Sequence, residues 1–252
     1  MTVGITMPVT GNKSLLSYSL SIRLCTDGFS FLVHSLGSSQ LLLQENLHCT
    51  QDETMAEALE RGLQLPRVRG RQYERVILFS TSPSTRVPLD EFRREDMMAV
   101  YRLTFAGVSV RPEDICFQVL PSLDVVEIFL LNSSVVETLR RYYPSAMVQG
   151  FYGSMLSHVA EMQQGSTLPI SYHAIVLEGG IMIVVLRQGR LQFANVFRAI
   201  GHADKLYFIL YVWKTLALDA WHDLCSLYGA DEKLYDEVCQ YLSHVEMHEL
   251  LI

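Results

Sequence analysis

The chain has 252 residues, a formal net charge of −7 and 49% hydrophobic residues. A chain of this length can bury a core without disulfides or metals, and this composition argues against intrinsic disorder. The acidic balance argues against nonspecific nucleic-acid binding, so no nucleic-acid partner is expected.

The N-terminus and the cysteines predict where the protein resides. Residues 1–14 form a loose tail by composition, without the basic and apolar regions of a signal peptide. The longest apolar runs are too short or too interrupted to cross a bilayer. Five cysteines without a Cys-x-x-Cys pair favour free thiols. We expect a cytoplasmic protein with no membrane insertion and no metal site.

The first part of the chain opens with strands that alternate apolar and polar residues, the period of a half-buried sheet. Asp27-Gly28 is a two-residue turn signal between the first two strands, and Asp52 is expected to cap the helix that follows. In chain order, the pattern predicts strands over 18–24, 29–34 and 41–49, a helix over 52–61 and a strand over 71–80.

Further elements follow up to a polar linker over 164–167. Asn132 or Ser133 is expected to cap one of these helices. The predictions are a helix over 89–103, a hairpin over 115–120 and 125–131, a helix ending near 143, a strand over 146–148 and a helix to 163.

The part after the linker repeats the opening order of elements. Glu178-Gly179-Gly180 is the turn signal between its first two strands. The predictions are strands over 172–177, 181–186 and 191–198, a helix over 202–219, a strand over 225–228, a helix over 231–242 and a strand over 244–250.

Three matching points recur after the same interval of 152 residues, which indicates an internal duplication. The pairs are Gly28 with Gly180, Gly37 with Gly189, and Asp52 with Asp204. We therefore predict two tandem halves, 15–165 and 166–252, with an inserted segment at about 81–131 in the first half.

Three antiparallel strands followed by alternating helices and strands are the order of a ribonuclease-H-like half, and two such halves make the actin-like ATPase fold. On residues 20–24, 27–31 and 178–180, the chain resembles an uncharacterised bacterial family of unknown function with this fold. The resemblance covers nearly the whole chain. It implies an α/β protein with mixed five-stranded sheets, but a fold does not fix an activity.

The resemblance also implies where a nucleotide would bind. In active members of the wider group, turns resembling Asp-x-Gly let backbone N–H groups approach phosphates, and the aspartate holds Mg²⁺ through water. The first turn here lacks the intervening residue, and Phe29 and Phe31 replace a small-residue run. Plain hairpin turns are the favoured interpretation, with ATP and Mg²⁺ binding as the alternative. The candidate residues are Asp27, Gly28, Glu178, Gly179, Gly180 and Gly229.

Other patterns give no complete catalytic set, so no catalytic residue is identified. The chain has no P-loop and no nucleophile-elbow motif. His244, Glu246 and His248 alternate on one strand face, which is more typical of a solvated face than of a metal site.

Two surfaces have a second interpretation as docking sites. Arg67, Arg69 and Arg71 form either a solvated loop or a patch for an acidic partner or phosphate. The helix over 202–219 is apolar on most sides, which favours a core helix, with an aromatic surface for self-association as the alternative.

Two functional hypotheses follow. The first is a non-catalytic binding or scaffold protein that acts through protein partners. The second is an ATP-binding switch or ATPase. We favour the first, and homo-oligomer formation is compatible with either.

Overall fold

The computed structural model describes residues 17–38, 40–164 and 168–249. The strands, in chain order, are β1 (Tyr18–Cys25), β2 (Gly28–Ser35), β3 (Leu41–His48), β4 (Tyr73–Ser80), β5 (Ser84–Pro88), β6 (Ile115–Leu120), β7 (Val125–Leu130), β8 (Met147–Gly150), β9 (Ile170–Leu177), β10 (Gly180–Arg187), β11 (Arg190–Arg198), β12 (Cys225–Tyr228) and β13 (Val245–His248).

The helices connect these strands, and none of those described is both long and apolar enough to cross a membrane. They are α1 (Met55–Leu63), α2 (Pro66–Arg69), α3 (Met97–Thr104), α4 (Ser133–Tyr142), α5 (Phe151–Met162), α6 (His202–Thr215) and α7 (Glu232–Cys239).

The two large sheets of the described chain have one topology. Their strand orders are β3-β2-β1-β4-β8 and β11-β10-β9-β12-β13. In each sheet the central strand, β1 or β9, pairs antiparallel with the strand that follows it and parallel with a later one. This confirms the predicted α/β fold with mixed five-stranded sheets.

The described chain divides into two compact units, each containing one of these sheets. Unit 1 takes the chain up to Ser84 together with Met97–Cys116 and Phe129–Phe151. Unit 2 takes Thr85–Asp96, Phe117–Ile128 and the chain from Tyr152 onward. The predicted halves, 15–165 and 166–252, stay a prediction. They differ from the two contact-based units, because unit 2 includes α5 from Tyr152 onward.

Each unit has its own core beneath its helices. In unit 1, Phe31 of β2 packs with Leu59 of α1 and Leu139 of α4. A Cβ added at Gly62 of α1 would lie 2.3 Å from Phe31 Cζ, so this glycine lets the helix approach the ring. In unit 2, Ile183 of β10 packs with residues of α6 and α7 in the same way. Burial of these apolar faces is the main stabilising term in each unit.

The segment predicted as an insertion contains a third sheet, of order β5-β7-β6. Strand β5 was absent from the predicted elements, and the helix predicted over 89–103 was wrong at its start. Leu89 instead donates its N–H to the carbonyl of Asp124 at 2.8 Å, after the end of β5. Only from Met97 does an α-helix form, after a short 3₁₀ turn.

The starts of α1 and α6 show that one of the three residue pairs of the proposed duplication, Asp52 with Asp204, was wrong. Thr54, not Asp52, caps α1: its hydroxyl accepts the N–H of Glu57 at 3.3 Å, and Glu57 accepts the N–H of Thr54 at 2.8 Å. Asp204 is the third residue of α6 and accepts the N–H of Gly201 at 3.4 Å. The counterpart of Asp204 is therefore Glu57, the third residue of α1.

Other predicted boundaries were close. Asn132 does cap α4, accepting the N–H of Ser134 at 2.9 Å. Helix α6 ends at Thr215 rather than near 219, because Ala217 takes a left-handed conformation with φ +52°.

Candidate functional site

The candidate phosphate-contact residues of unit 1 lie in the turn between β1 and β2. The turn has two residues, because Cys25 pairs with Gly28. Asp27 Oδ2 lies 2.8 Å from His48 Nδ1, and these side chains are 70% and 73% exposed. The Asp27 carbonyl also accepts the N–H of Cys49 at 2.7 Å. Side chain and backbone both tie the turn to the end of β3.

The glycine and the aromatic residues of this hairpin have a structural explanation. A Cβ added at Gly28 would lie 1.9 Å from the carbonyl oxygen of Leu47, so only glycine fits beside β3. Phe29 and Phe31, which follow it, are buried in the core of unit 1. Packing within the sheet is therefore sufficient to explain these three residue types.

The carboxyl ends of β1 and β4 lie at one edge of the sheet, because the two strands are parallel. Open α/β sheets bind ligands at such edges. Here Ser80 Oγ donates to the carbonyl of Leu130 at 2.6 Å, and Thr81 Oγ1 donates to the carbonyl of Leu24 at 2.6 Å. Ser82 Oγ donates to the same Leu130 carbonyl at 2.8 Å and accepts the Leu130 N–H at 2.9 Å.

Three consecutive hydroxyl residues thus bond to the chain's own backbone at this edge. They were missing from the predicted site residues, although a polar run directly after a buried strand is a signal for such a position. The edge is polar, and the hydroxyl groups of Ser80, Thr81 and Ser82 each donate a hydrogen bond within unit 1.

The candidate turn of unit 2 lies between β9 and β10 and has the same length. Leu177 pairs with Gly180, so Glu178 and Gly179 form the turn. Gly179 has a φ of +69°, the left-handed region that favours glycine, and Glu178 is exposed. A Cβ added at Gly180 would lie 2.8 Å from the carbonyl oxygen of Phe197. Backbone conformation and the neighbouring strand β11 explain both glycines.

Gly229, the remaining candidate, lies at the same edge of the unit 2 sheet, because β12 runs parallel to β9. It follows the last residue of β12, with a φ of +64°. Its N–H donates to the carbonyl of His248 at 3.0 Å. This amide therefore continues the pairing of β12 with β13.

The helix N-termini of unit 2 hold the chain's own carboxylates. Asp204 accepts the N–H groups of Ile200 and Gly201 at the start of α6. Asp231 caps α7 through the N–H of Leu234 at 2.9 Å and lies 2.9 Å from His202 Nε2. The Leu234 hydrogen bond, and secondarily His202, lower the pKa of Asp231. Because an anion favours a helix N-terminus, these carboxylates compete there with any phosphate.

The basic cluster of unit 1 is partly engaged by its own segment. Arg67 lies 3.7 Å from Glu45, and Arg71 donates to the carbonyl of Arg67. The guanidinium of Arg71 also lies 5.7 Å from the centre of the Tyr18 ring. Arg69 is exposed. Of the three candidate docking residues, Arg71 has the clearest structural contacts.

Unit 2 contains a buried histidine that the sequence patterns did not reveal. His173 of β9 is fully buried, and its Nδ1 lies 3.3 Å from the hydroxyl of Tyr228. Its Nε2 has no hydrogen-bond partner among the described residues. Burial, and secondarily the nearby His248, lower the pKa of His173 to about 4. This side chain is therefore neutral near pH 7.

His248 and Glu246 do alternate on β13, as predicted. The His248 ring stacks on Tyr228 with a centroid distance of 4.8 Å, and its Nε2 lies 3.6 Å from Glu246. Among the residues described, no three possible ligands come together around one metal position.

A buried carboxylate holds the start of α5 in unit 2. Glu127 of β7 accepts Gln118 Nε2 at 2.9 Å and the N–H of Gly153 at 3.0 Å, and Arg86 lies 3.5 Å away. A Cβ at Gly153 would lie 2.1 Å from a Glu127 oxygen, so the contact requires glycine. Its partners come from distant parts of the sequence, which no local pattern could connect.

The comparisons with known proteins agree with this architecture. A crystal structure from Bacteroides thetaiotaomicron, described as having an actin-like ATPase fold and unknown function, superposes with a TM-score of 0.75 at 24% identity, covering 93% of this chain and 92% of that chain. A PilM-PilN type IV pilus biogenesis complex superposes with a TM-score of 0.54 at 12% identity, covering 92% of this chain and 88% of that chain. No curated protein matches the chain.

These structural likenesses establish the actin-like ATPase fold. The family model described as "Protein of unknown function (DUF3822)" matches residues 11–245. With nearly the whole sequence matched, the chain belongs to this family.

Proposed function

We propose that this protein is a non-catalytic binding protein with an actin-like fold that acts through protein partners. The observation that carries the proposal is that polar groups at the carboxyl ends of the strands are hydrogen-bonded to other groups of the same unit. Ser80, Thr81 and Ser82 bond to backbone within unit 1, and Asp204 and Asp231 occupy helix N-termini within unit 2. A phosphate would have to displace these contacts.

The hairpin turns support the same proposal. Packing explains Gly28 and Gly180, and Asp27 faces His48 on the neighbouring strand. The likeness to a protein in a pilus-biogenesis complex supports the use of this fold in protein assemblies. A fold alone does not fix function, so the internal contacts carry more weight.

A thermal-unfolding titration with Mg-ATP tests the proposal against nucleotide binding. A ligand at 100 times its Kd stabilises a protein by about 2.7 kcal/mol. We expect no upward shift in Tm at millimolar Mg-ATP beyond that given by Mg²⁺ with inorganic phosphate. A saturable upward shift specific to the nucleotide, or steady phosphate release, would contradict the proposal.

The basic cluster is a proposed contact for an acidic partner. Arg67→Ser together with Arg69→Ser should weaken capture of such a partner, since both side chains reach solvent. Arg75→Ser is the matched control, because Arg75 is an exposed arginine of the adjacent strand β4. Equal capture by all these variants would reject the patch.

A further inference from the structure

Strand β11 offers an open edge to a binding partner. It ends the strand order of the unit 2 sheet and has nine residues, Arg190–Arg198. An edge strand presents backbone N–H and C=O groups that another strand can pair with. Within β11, Asn195 Oδ1 accepts the N–H of Val196 at 2.9 Å. Backbone pairing alone does not distinguish one strand from another, so a specific partner needs additional contacts.

A row of aromatic rings provides such contacts. Phe193 and Phe197 of β11 lie 6.4 Å apart between ring centres, and Phe197 stacks on Phe208 of α6 at 4.4 Å. Tyr207 contacts Phe208 at 5.2 Å and Tyr211 at 5.8 Å. The five rings form one continuous row, which we call the aromatic row.

The aromatic row reaches solvent at its helical end. Tyr207 and Tyr211 are 59% and 51% exposed, and the preceding Ile200 is 70% exposed. The opposite face of α6 buries Ile209, Val212 and Trp213 in the core. Helix α6 is thus a core helix with an aromatic outer face, and exposed tyrosines of this kind are typical of interface anchors.

The charge of this region sets the chemistry of the partner. Residues 187–214 carry five basic side chains and one acidic one, Asp204, in a chain with a net charge of −7. Asp204 is engaged with the start of α6. The basic residues are Arg187, Arg190, Arg198, Lys205 and Lys214. This local excess of basic side chains would attract an acidic segment.

A cavity of about 570 Å³ lies at the beginning of β11. Its lining includes Arg190 and Leu191 of β11, Leu89 after β5, and Ser122 and Asp124 before β7, all in unit 2. Arg190 and Leu191 are the first two residues of β11. The cavity can receive the terminal side chain of a strand that pairs with β11.

We propose that β11 and the aromatic row bind an extended acidic segment of a partner protein, which adds to the sheet as a further strand. This inference rests on the proposed function and names its partner class. Backbone pairing is the reason to choose a peptide, because an extended peptide carries C=O and N–H groups at the spacing that matches a strand edge. Alternate side chains of the peptide contact the aromatic row.

The probe is a fluorescein-labelled ten-residue peptide of alternating Glu and Val, titrated into the full chain and followed by anisotropy. We expect saturable binding that weakens in 0.5 M salt, because the charge attraction is screened. The same peptide with alternate backbone nitrogens methylated should not bind, because it cannot pair with β11. Amide hydrogen exchange in β11 should slow when the unmodified peptide binds.

Two variants locate the site. Arg190→Glu with Arg198→Glu should weaken binding about tenfold or more, and Tyr207→Ser with Tyr211→Ser about fivefold or more. Tyr241→Ser is the control and should bind unchanged, since Tyr241 is an exposed tyrosine of unit 2 outside the aromatic row. Thermal unfolding checks that each variant is folded.

Several results would overturn the inference. These are no peptide binding at 1 mM, equal binding of a Lys-Val peptide, unchanged binding by both variants, or preferential binding of oligo-dT or anionic vesicles. The outcome is distinguishable from that of the Mg-ATP titration. Nucleotide binding would contradict the proposed function without moving the peptide site, and a failed peptide titration would leave the nucleotide result unchanged.

Discussion

In unit 1, hydroxyl groups of Ser80, Thr81 and Ser82 close the carboxyl ends of β1 and β4 through bonds to the backbone. In unit 2, the same edge is closed by the N–H of Gly229 and by carboxylates at the starts of α6 and α7. The strand order is the same in both sheets, but the chemistry at these ends differs. The two sheets share a topology, but the polar groups at their strand ends are hydrogen-bonded by different residues. This is expected where no shared ligand requires the same residues in both units.

The largest change in stability is expected for substitutions of the hairpin glycines. Gly28→Ala places a Cβ against the Leu47 backbone and should destabilise the protein by about 3 kcal/mol or more. Gly179→Ala meets open space and incurs only its left-handed backbone strain, about 1 kcal/mol. Urea unfolding measures both. A mild effect at Gly28 would mean that β3 can move away, and the structural explanation of that glycine would fail.

His173 gives a pH-dependent difference between the units. The corresponding position of β1 is Ser21, which does not titrate. Folding depresses the pKa of His173 from 6.5 to about 4. Its contribution to the free energy of unfolding is therefore complete above pH 6.5 and is lost as the pH falls towards 4. Lowering the pH from 7.5 to 5 should decrease the free energy of unfolding by about 2 kcal/mol through protonation of this histidine.

The control for this prediction is His173→Gln, which keeps a polar group near Tyr228 but cannot take up a proton in this range. Urea unfolding at each pH should show a shallower acid dependence for the variant. An identical pH dependence in both proteins would contradict the assignment.

The hydroxyl closure of unit 1 predicts a smaller effect. Ser82→Ala removes the acceptor of the Leu130 N–H and should cost about 1.5 kcal/mol. Asp231→Ala removes an exposed helix cap in unit 2 and should destabilise less. Chemical denaturation of the two variants gives the ranking. A larger destabilisation by Asp231→Ala would show that the hydroxyl contacts of unit 1 contribute less to stability than the helix cap of unit 2.

The smallest effect is expected at the first turn. Asp27→Asn removes only an exposed contact with His48, and surface ion pairs contribute little. Its Tm should lie within a degree or so of the parent protein. A rise in Tm would indicate that repulsion, rather than pairing, governs Asp27 in the folded state.

The sequence was most informative where structure is local. The places of the two hairpin turns were predictable, because turn signals act within a few residues. The predicted turns ended one position late, since Gly28 and Gly180 are already the first residues of β2 and β10. Strand β5 was not predictable, because its five residues are held by pairing with β7, far along the chain. Thr54 was overlooked as a cap because Asp52, two residues earlier, is an equally good capping residue type.

The candidate site was predictable only in outline. Residue types identified the turns, but not the partners that engage them, such as His48 for Asp27. Glu127 meets Gln118, Gly153 and Arg86 only in the folded chain, so no sequence pattern could bring them together. The open edge of β11 likewise emerges from strand order rather than from composition.

Amide NMR during a Mg-ATP titration tests whether the polar groups at these strand ends serve the fold and not a nucleotide. The probes are the N–H resonances of Gly28, Gly180 and Gly229. We expect all three resonances to stay unmoved at millimolar Mg-ATP. Saturable shifts at these glycines, absent with Mg²⁺ alone, would contradict it.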